Sequence, residues 1–217
     1  MGAIATAWQH AIEILLPARC VGCGTGGTYL CEACVGAARR AAPLPLDPRA
    51  HAFDEVTAPF AYERVARTAV HRPKYSGLRA IAPSMARPMA EALSLSGVRA
   101  DVIVPVPLHP SRLRERGFNQ ALLLARHVGE AVGVPVREDV LQRLVAGTPQ
   151  VDAATIDERR RNVAGAFALA PGADVAGLEV VLVDDVLTTG STLDAAAGVL
   201  KRGGARSVRA LAFAREQ

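Results

Sequence analysis

With 217 residues, half of them hydrophobic and 21% charged, the chain is long enough to bury one core plus a small appendage and too well mixed to be disordered. The net charge is +4, yet only Lys74 and Lys201 are lysines, so nearly all the positive charge is guanidinium. That favours bidentate contact with phosphate or carboxylate, although genome base composition gives the same Arg and Ala richness. No apolar run approaches the ~20 residues that cross a bilayer, and the first residues lack the positive cluster and clean apolar stretch of a secretory signal, so a cytoplasmic protein without a membrane span is expected.

All four cysteines stand near the start, as Cys20-Val-Gly-Cys23 and Cys31-Glu-Ala-Cys34. Two such knuckles at this separation place four sulfurs around one Zn²⁺, with Gly22, Gly24, Gly26 and Gly27 permitting tight turns. Two disulfides or a redox pair are the alternatives, and the expected reducing cytosol favours metal. Four protein ligands leave no open coordination position, so the role expected is structural. Three prolines without periodicity mark Ala41–Ala50 as a stiff linker. The predicted division is therefore an N-terminal helix and four-cysteine zinc module over residues 1–45 and an α/β domain over residues 46–217.

Val56–Tyr62 has strand character, Glu63–His71 reads as a helix stopped by Pro73, and Ala80–Leu95 as another helix. Asp101-Val-Ile-Val-Pro-Val-Pro is a short β-branched run ended by prolines, as expected of a buried parallel strand, and Phe118–Val132 shows helical spacing. The loop between them, Leu108–Gln120, is dense in donors: His109, Arg112, Arg114, Arg116, Asn119 and Gln120. It is either a solvated turn or a ligand loop at the carboxyl end of a strand, where open α/β sheets bind.

A second unit is more sharply drawn. Val180–Val183 is a four-residue apolar run, Asp184 and Asp185 follow, then Val186-Leu187-Thr188-Thr189-Gly190-Ser191-Thr192, and Leu193–Arg202 reads as a helix. Small residues, hydroxyls and a helix N-terminus suit a phosphate monoester. Two carboxylates just before that cradle suit ribose hydroxyls, or a Mg²⁺ that neutralises adjoining phosphate. An ordinary capped helix is the alternative. Neither Gly-x-x-x-x-Gly-Lys-Ser/Thr nor Gly-x-Gly-x-x-Gly occurs, so neither a P-loop hydrolase nor a dinucleotide enzyme is supported.

The run VVLVDDVLTTGST resembles the signature of the type I phosphoribosyltransferase fold. The wider set resembles the ComF family: the paired knuckles, Lys74-Tyr75-x-Gly77, DVIVPVPLHP from Asp101, RLRERGFNQ from Arg112, Thr148-Pro-Gln150 and ERRRNVAGAF from Glu158. Pro73 departs from the family pattern, which has an apolar residue there. The resemblance implies a parallel sheet flanked by helices, with phosphoribosyl pyrophosphate (PRPP) held by Asp184, Asp185, Thr188, Thr189, Gly190, Ser191 and Thr192, together with Mg²⁺. It implies a pyrophosphate loop at Pro105–His109, including Val106 and Pro107, with Arg112 and Arg116 nearby. It places Arg159, Arg160, Arg161 and Asn162 in a closing loop, where a solvated helix face is the alternative reading. The implied role is in natural competence, handling incoming single-stranded DNA with a helicase-like partner; an active phosphoribosyltransferase of nucleotide salvage is the alternative. No segment identifies an acceptor pocket. With 4% aromatic residues, any contact with a DNA strand is expected to be electrostatic rather than stacked.

Overall fold

The computed structural model of the chain describes residues 18–44, 51–71, 77–145 and 165–217. In chain order these form helix α1 (Glu32–Ala37), strands β1 (Glu55–Thr57) and β2 (Phe60–Ala61), helices α2 (Arg64–His71) and α3 (Gly77–Leu95), strand β3 (Val102–Pro105), helices α4 (Pro110–Arg116) and α5 (Gln120–Val132), strands β4 (Leu141–Arg143), β5 (Phe167–Leu169) and β6 (Glu179–Leu187), helix α6 (Ser191–Arg202) and strand β7 (Ser207–Arg215).

The main sheet is parallel, with β3 beside β6, β6 beside β7, and β1 and β2 both on the far side of β7. A bridge from Ile103 to Val136 adds one more contact outside β3. Side chains alternate across this sheet and divide the core in two. Val102, Val104, Val180, Leu182, Val208 and Ala210 pack beneath α6. Ile103, Val181, Val183, Leu211 and Phe213 pack with α3 and α5 on the other face. The continuous apolar runs of β3 and β6 follow from burial on both faces.

Chain direction creates a crevice. From β3 the chain passes through α5 and returns at Val136, on the side away from β6; from β6 it passes through α6 and returns as β7, on the side away from β3. The two crossovers diverge, so the carboxyl ends of β3 and β6 border an opening that neither helix fills, the usual ligand position in open α/β sheets.

Several sequence expectations need correction. Leu108–Gln120 is not a plain loop, because Pro110–Arg116 forms α4, capped by His109, whose Nδ1 accepts from Ser111 N at 3.2 Å, and ended by the left-handed Gly117 (φ 75°). The strand expected over Val56–Tyr62 breaks at Ala58-Pro59, since proline cannot donate to a ladder. The acidic pair lies within β6, which pairs with β7 out to Leu187, and α6 begins at Ser191 rather than Leu193. The β4–β5 ribbon and the whole of β7 had not been assigned. The domain boundary near residue 45, the helix expected at the extreme N-terminus, Lys74, Thr148-Pro-Gln150 and Arg159, Arg160, Arg161 and Asn162 lie outside the described residues.

Candidate functional site

The end of β3 is fixed against β6 by register, with Pro105 opposite Val183, one residue before Asp184. Val106 N donates to Val183 O at 2.9 Å, and Asn119 Nδ2 donates to Val106 O at 2.9 Å. Asn119 also caps α5, its Oδ1 accepting from Ala121 N at 3.1 Å, so one side chain ties the Val106–Pro107 turn to the following helix.

Asp184 and Asp185 are half-buried beside this turn. Asp184 Oδ1 accepts from Asp185 N at 2.9 Å. Burial pushes the Asp184 carboxyl well above the usual range and the neighbouring Asp185 charge adds to it, while the Asp185 backbone N–H and Arg143 oppose the rise. Asp185 is also raised by burial, opposed by hydrogen bonding and by the Arg116 charge. Two carboxyls that resist ionisation together form a ready seat for a cation or for sugar hydroxyls, either of which replaces the lost hydration.

Beyond β6 the chain turns at Thr188 and Thr189 into Gly190, whose φ of 76° is left-handed, and α6 starts immediately after it. Thr189 Oγ1 lies 2.9 Å from Ser191 Oγ. Gly190 brings no side-chain cap to α6, and Ser191 N donates to Thr189 Oγ1 at a long 3.5 Å, so the first-turn N–H groups, which have no intrahelical partner, border the loop. Thr188 is exposed, Thr189 and Thr192 half-buried, and Gly190 and Ser191 buried. The expected cradle residues therefore gather at one helix start.

Arg112 and Arg116 of α4 come to the same region. Arg116 acts electrostatically on Asp185, and Arg112 on Arg143. Arg143 was missed in the sequence. It ends β4, its guanidinium lies 5.3 Å from the Phe167 ring centroid, and its Nε donates to Val145 O at 3.3 Å. Burial pulls this guanidinium below its ordinary range, Asp184 counteracts that, and Arg112 adds to it. Nothing in a lone arginine after Leu-Gln signals this; only the β4–β5 pairing, with Arg143 opposite Phe167, brings it beside the crevice. His51-Ala52-Phe53 was also missed. Ala52 N donates to Asp194 Oδ1 at 2.6 Å, His51 Nδ1 lies 3.7 Å from the same oxygen, and His51 stacks on Phe53 at 4.9 Å, so this segment buttresses the start of α6.

The four cysteines form a second centre. Their Sγ atoms all lie within 4.8 Å of one another, with Cys23 and Cys31 3.6 Å apart. Zn–S bonds of about 2.3 Å in a tetrahedron put sulfurs roughly 3.8 Å apart, so the cluster fits a metal ion. Without one the thiols compete for ionisation. At Cys20 burial opposes charge, but N–H groups of Cys31, Cys23 and Gly22 outweigh it and lower the thiol to about 6, whereas burial and the other thiols push Cys34 up to about 12. The module is joined to the α/β body: Leu30 is buried in the α3–α5 side of the core, and Arg87 Nη1 meets Glu32 Oε1 at 2.8 Å. Among the described residues no helix is long and apolar enough to cross a membrane.

Comparison with known proteins agrees with this construction. The family model "Phosphoribosyl transferase domain" matches residues 120–217. The chain is 34% identical over 116 residues to "Competence protein F" of Haemophilus influenzae, covering 53% of this chain and 50% of that protein. It is 35% identical over 145 residues to "DNA utilization protein YhgH" of Salmonella typhimurium, covering 64% and 63% respectively. The chain thus spans about half to under two thirds of these relatives. Among solved structures, the glutamine PRPP amidotransferase of B. subtilis aligns with a TM-score of 0.42 at 23% identity, over 61% of this chain and 26% of that one. The chain is thus similar to the competence and DNA utilization proteins over the part that they share, and its residues 120–217 match the phosphoribosyl transferase domain.

Proposed function

We propose that the crevice between β3 and β6 binds PRPP with Mg²⁺, that the four-cysteine cluster holds a structural Zn²⁺, and that the protein acts in natural competence, in the handling of incoming single-stranded DNA. The observation that carries the binding reading is the sequence of groups along one strand and helix. Two carboxyls that burial keeps from ionising freely are followed within a few residues by a helix start at a left-handed glycine. Asp184 and Asp185 would hold the ribose hydroxyls, directly or through Mg²⁺, while Thr188–Thr192 would surround the 5-phosphate with hydroxyls and N–H groups. Val106 and Pro107 would border the pyrophosphate, whose charge Arg112, Arg116 and Arg143 are placed to offset. Arg160 and Arg161 complete this proposed set. Mg²⁺, when bound, would supply charge neutralisation between the acids and the diphosphate. A partner of helicase type belongs to the same proposal; the names of the relatives support the competence role and leave the partner to experiment.

A second reading, transfer of the ribose 5-phosphate onto an acceptor, is favoured by the hydrogen-bonded pair of Tyr62 and His71 at the β7 flank of the sheet. Calorimetric titration with PRPP and Mg²⁺ and with a single-stranded oligonucleotide, separately and together, tests the first reading. PRPP binding that Asp184→Ala abolishes is expected. Competition between the ligands would place the strand in the same crevice, and failure of PRPP to bind at millimolar concentration would remove the reading altogether. In a transformable host lacking its own relative, Asp184→Ala and Cys20→Ser are expected to abolish complementation.

A further inference from the structure

The crevice is flanked unequally. On one side of β6 stands β3 with the Val106–Pro107 turn; on the other stands β7, and beyond it β2. Ala61 of β2, Arg215 of β7 and Leu187 of β6 share one row, and Tyr62 N donates to Arg215 O at 2.7 Å. Tyr62 therefore emerges at the carboxyl edge of the sheet, on the opposite flank of β6 from the pyrophosphate turn. It packs on the same face as Val183, the face to which strand alternation also directs Asp185.

Tyr62 is hydrogen-bonded through its hydroxyl to Nε2 of His71, at the far end of α2, with the rings 5.9 Å apart and tilted by 49°. Arg64, the first residue of α2 and the positive-φ non-glycine residue among those described, has a φ of 44°. Such backbone persists where its surroundings over-determine it. Burial and then Asp185 raise the Tyr62 phenol above its ordinary value, with Arg67 opposing and Glu216 adding to the rise, so these are the charged groups that face it from β6, α2 and the end of β7.

We propose that Tyr62 and His71 form the acceptor-side pair of the crevice, taking the proton from a nitrogen or oxygen nucleophile that attacks C1 of the bound ribose. The inference rests on the crevice being a PRPP site. Displacement at a sugar C1 brings the nucleophile to the face opposite the leaving group. With pyrophosphate on the β3 flank, that face looks toward β7 and Tyr62. The step balances without a further reactant. The nucleophile's lone pair forms the new bond to C1 as the C1–O bond breaks, and pyrophosphate leaves with that electron pair. The nucleophile's proton passes to the Tyr62 oxygen while the Tyr62 proton passes to His71 Nε2, and His71, being exposed, releases it to solvent. With water as nucleophile the products are ribose 5-phosphate and pyrophosphate.

The test uses the full chain, PRPP and Mg²⁺, with water as acceptor, and measures pyrophosphate release beside PRPP affinity by calorimetry. Tyr62→Phe and His71→Gln are expected to bind PRPP within about twofold of the unaltered chain while releasing pyrophosphate at least tenfold more slowly, the range typical of a positioned proton acceptor being larger still. Tyr62→Phe keeps the ring that packs on the core, and its melting temperature should match that of the unaltered chain. Release at an unaltered rate in both variants, loss of PRPP affinity in step with rate, or a chain that binds PRPP and releases no pyrophosphate would each overturn the proposal. Failure of the unaltered chain to bind PRPP is a separate result, one that removes the underlying site and the proposed pair with it.

Discussion

Gly22 of the first cysteine knuckle lies against Val65 of α2 so closely that a Cβ on the glycine would stand 2.8 Å from Val65 Cγ2 and 2.7 Å from Cys34 Sγ. The cysteine module and the helix that carries His71 are thus packed without room for one methyl group. Gly22→Ala should lower the stability by about 1–3 kcal/mol, as overpacking does, and reduce zinc content below one per chain by elemental analysis. Gly36→Ala is the control. Position 36 lies inside α1, where a Cβ meets nothing within 4 Å, and its melting temperature should hold or rise. Equal melting temperatures in both variants would show that the knuckle yields independently of α2.

Removing the metal should act through the same contact. Chelation is expected to lower the melting temperature and to expose the core around Leu30, read as increased hydrogen exchange in α2 and α3. The loss should be reversed by added Zn²⁺, and Cys34→Ser should behave as the chelated protein does.

The acidic pair gives the ligand-free protein an unusual pH dependence. A carboxyl raised above its unfolded value makes the folded state bind more protons than the unfolded one, so stability is fullest below the ordinary carboxylate range. It is lost as pH climbs from that range through the raised folded values. Asp184→Asn should therefore raise the melting temperature of the ligand-free protein at neutral pH by a few degrees, while PRPP affinity in Mg²⁺ falls at least tenfold. A variant that melts lower at neutral pH would contradict the assignment of burial as the dominant cause.

Arg143 is expected to matter to the diphosphate although its sequence context is featureless. Arg143→Met keeps much of the apolar contact with Phe167 and removes the charge; a loss of about tenfold to a hundredfold in PRPP affinity is expected, in line with about 1.5–3 kcal/mol for a charged hydrogen bond. Ribose 5-phosphate, which has no diphosphate, should bind both forms alike in calorimetry.

Asp194→Ala removes the acceptor of the Ala52 N–H and leaves that donor unpaired beside α6, at a cost of about 1–3 kcal/mol. Because Phe53, on which His51 stacks, lies against the Gly190 turn, inorganic phosphate affinity should fall as well, whereas Asp194→Asn, which keeps an oxygen, should retain most of both. Unchanged phosphate affinity in Asp194→Ala would separate the buttress from the cradle.

What the sequence disclosed follows physical lines. The four cysteines and the Asp184–Thr192 run were legible because each element of the cluster lies close in the chain and its chemistry is read without knowing the fold. β3 and the body of β6 were legible because burial on both faces leaves an unbroken apolar run. The extension of β6 through Asp184 and Asp185 was hidden, since two adjacent acids read as a strand's end until β7 is present to pair with them. β7 itself went unassigned although Ala210–Ala214 is wholly apolar, because alanine-rich runs serve a helix equally well. Arg143, His51 and Tyr62 share a different obstacle. Each is held by a partner distant in the chain, Phe167, Asp194 and Arg215 respectively, and no local pattern encodes such a meeting.

The place of β7 between β6 and β1 also has a bearing on how the molecule assembles. Asp54 at the head of β1 accepts from Val208 N across 154 residues of chain, and Val56 pairs with Ala210. Among the described residues β1 therefore has no neighbour in the sheet until β7 exists, and such distant pairing slows folding toward the millisecond-to-second range. During synthesis the cysteine module and α2 emerge long before β7, so Tyr62 gains its backbone partner Arg215 only after most of the described sheet has been made.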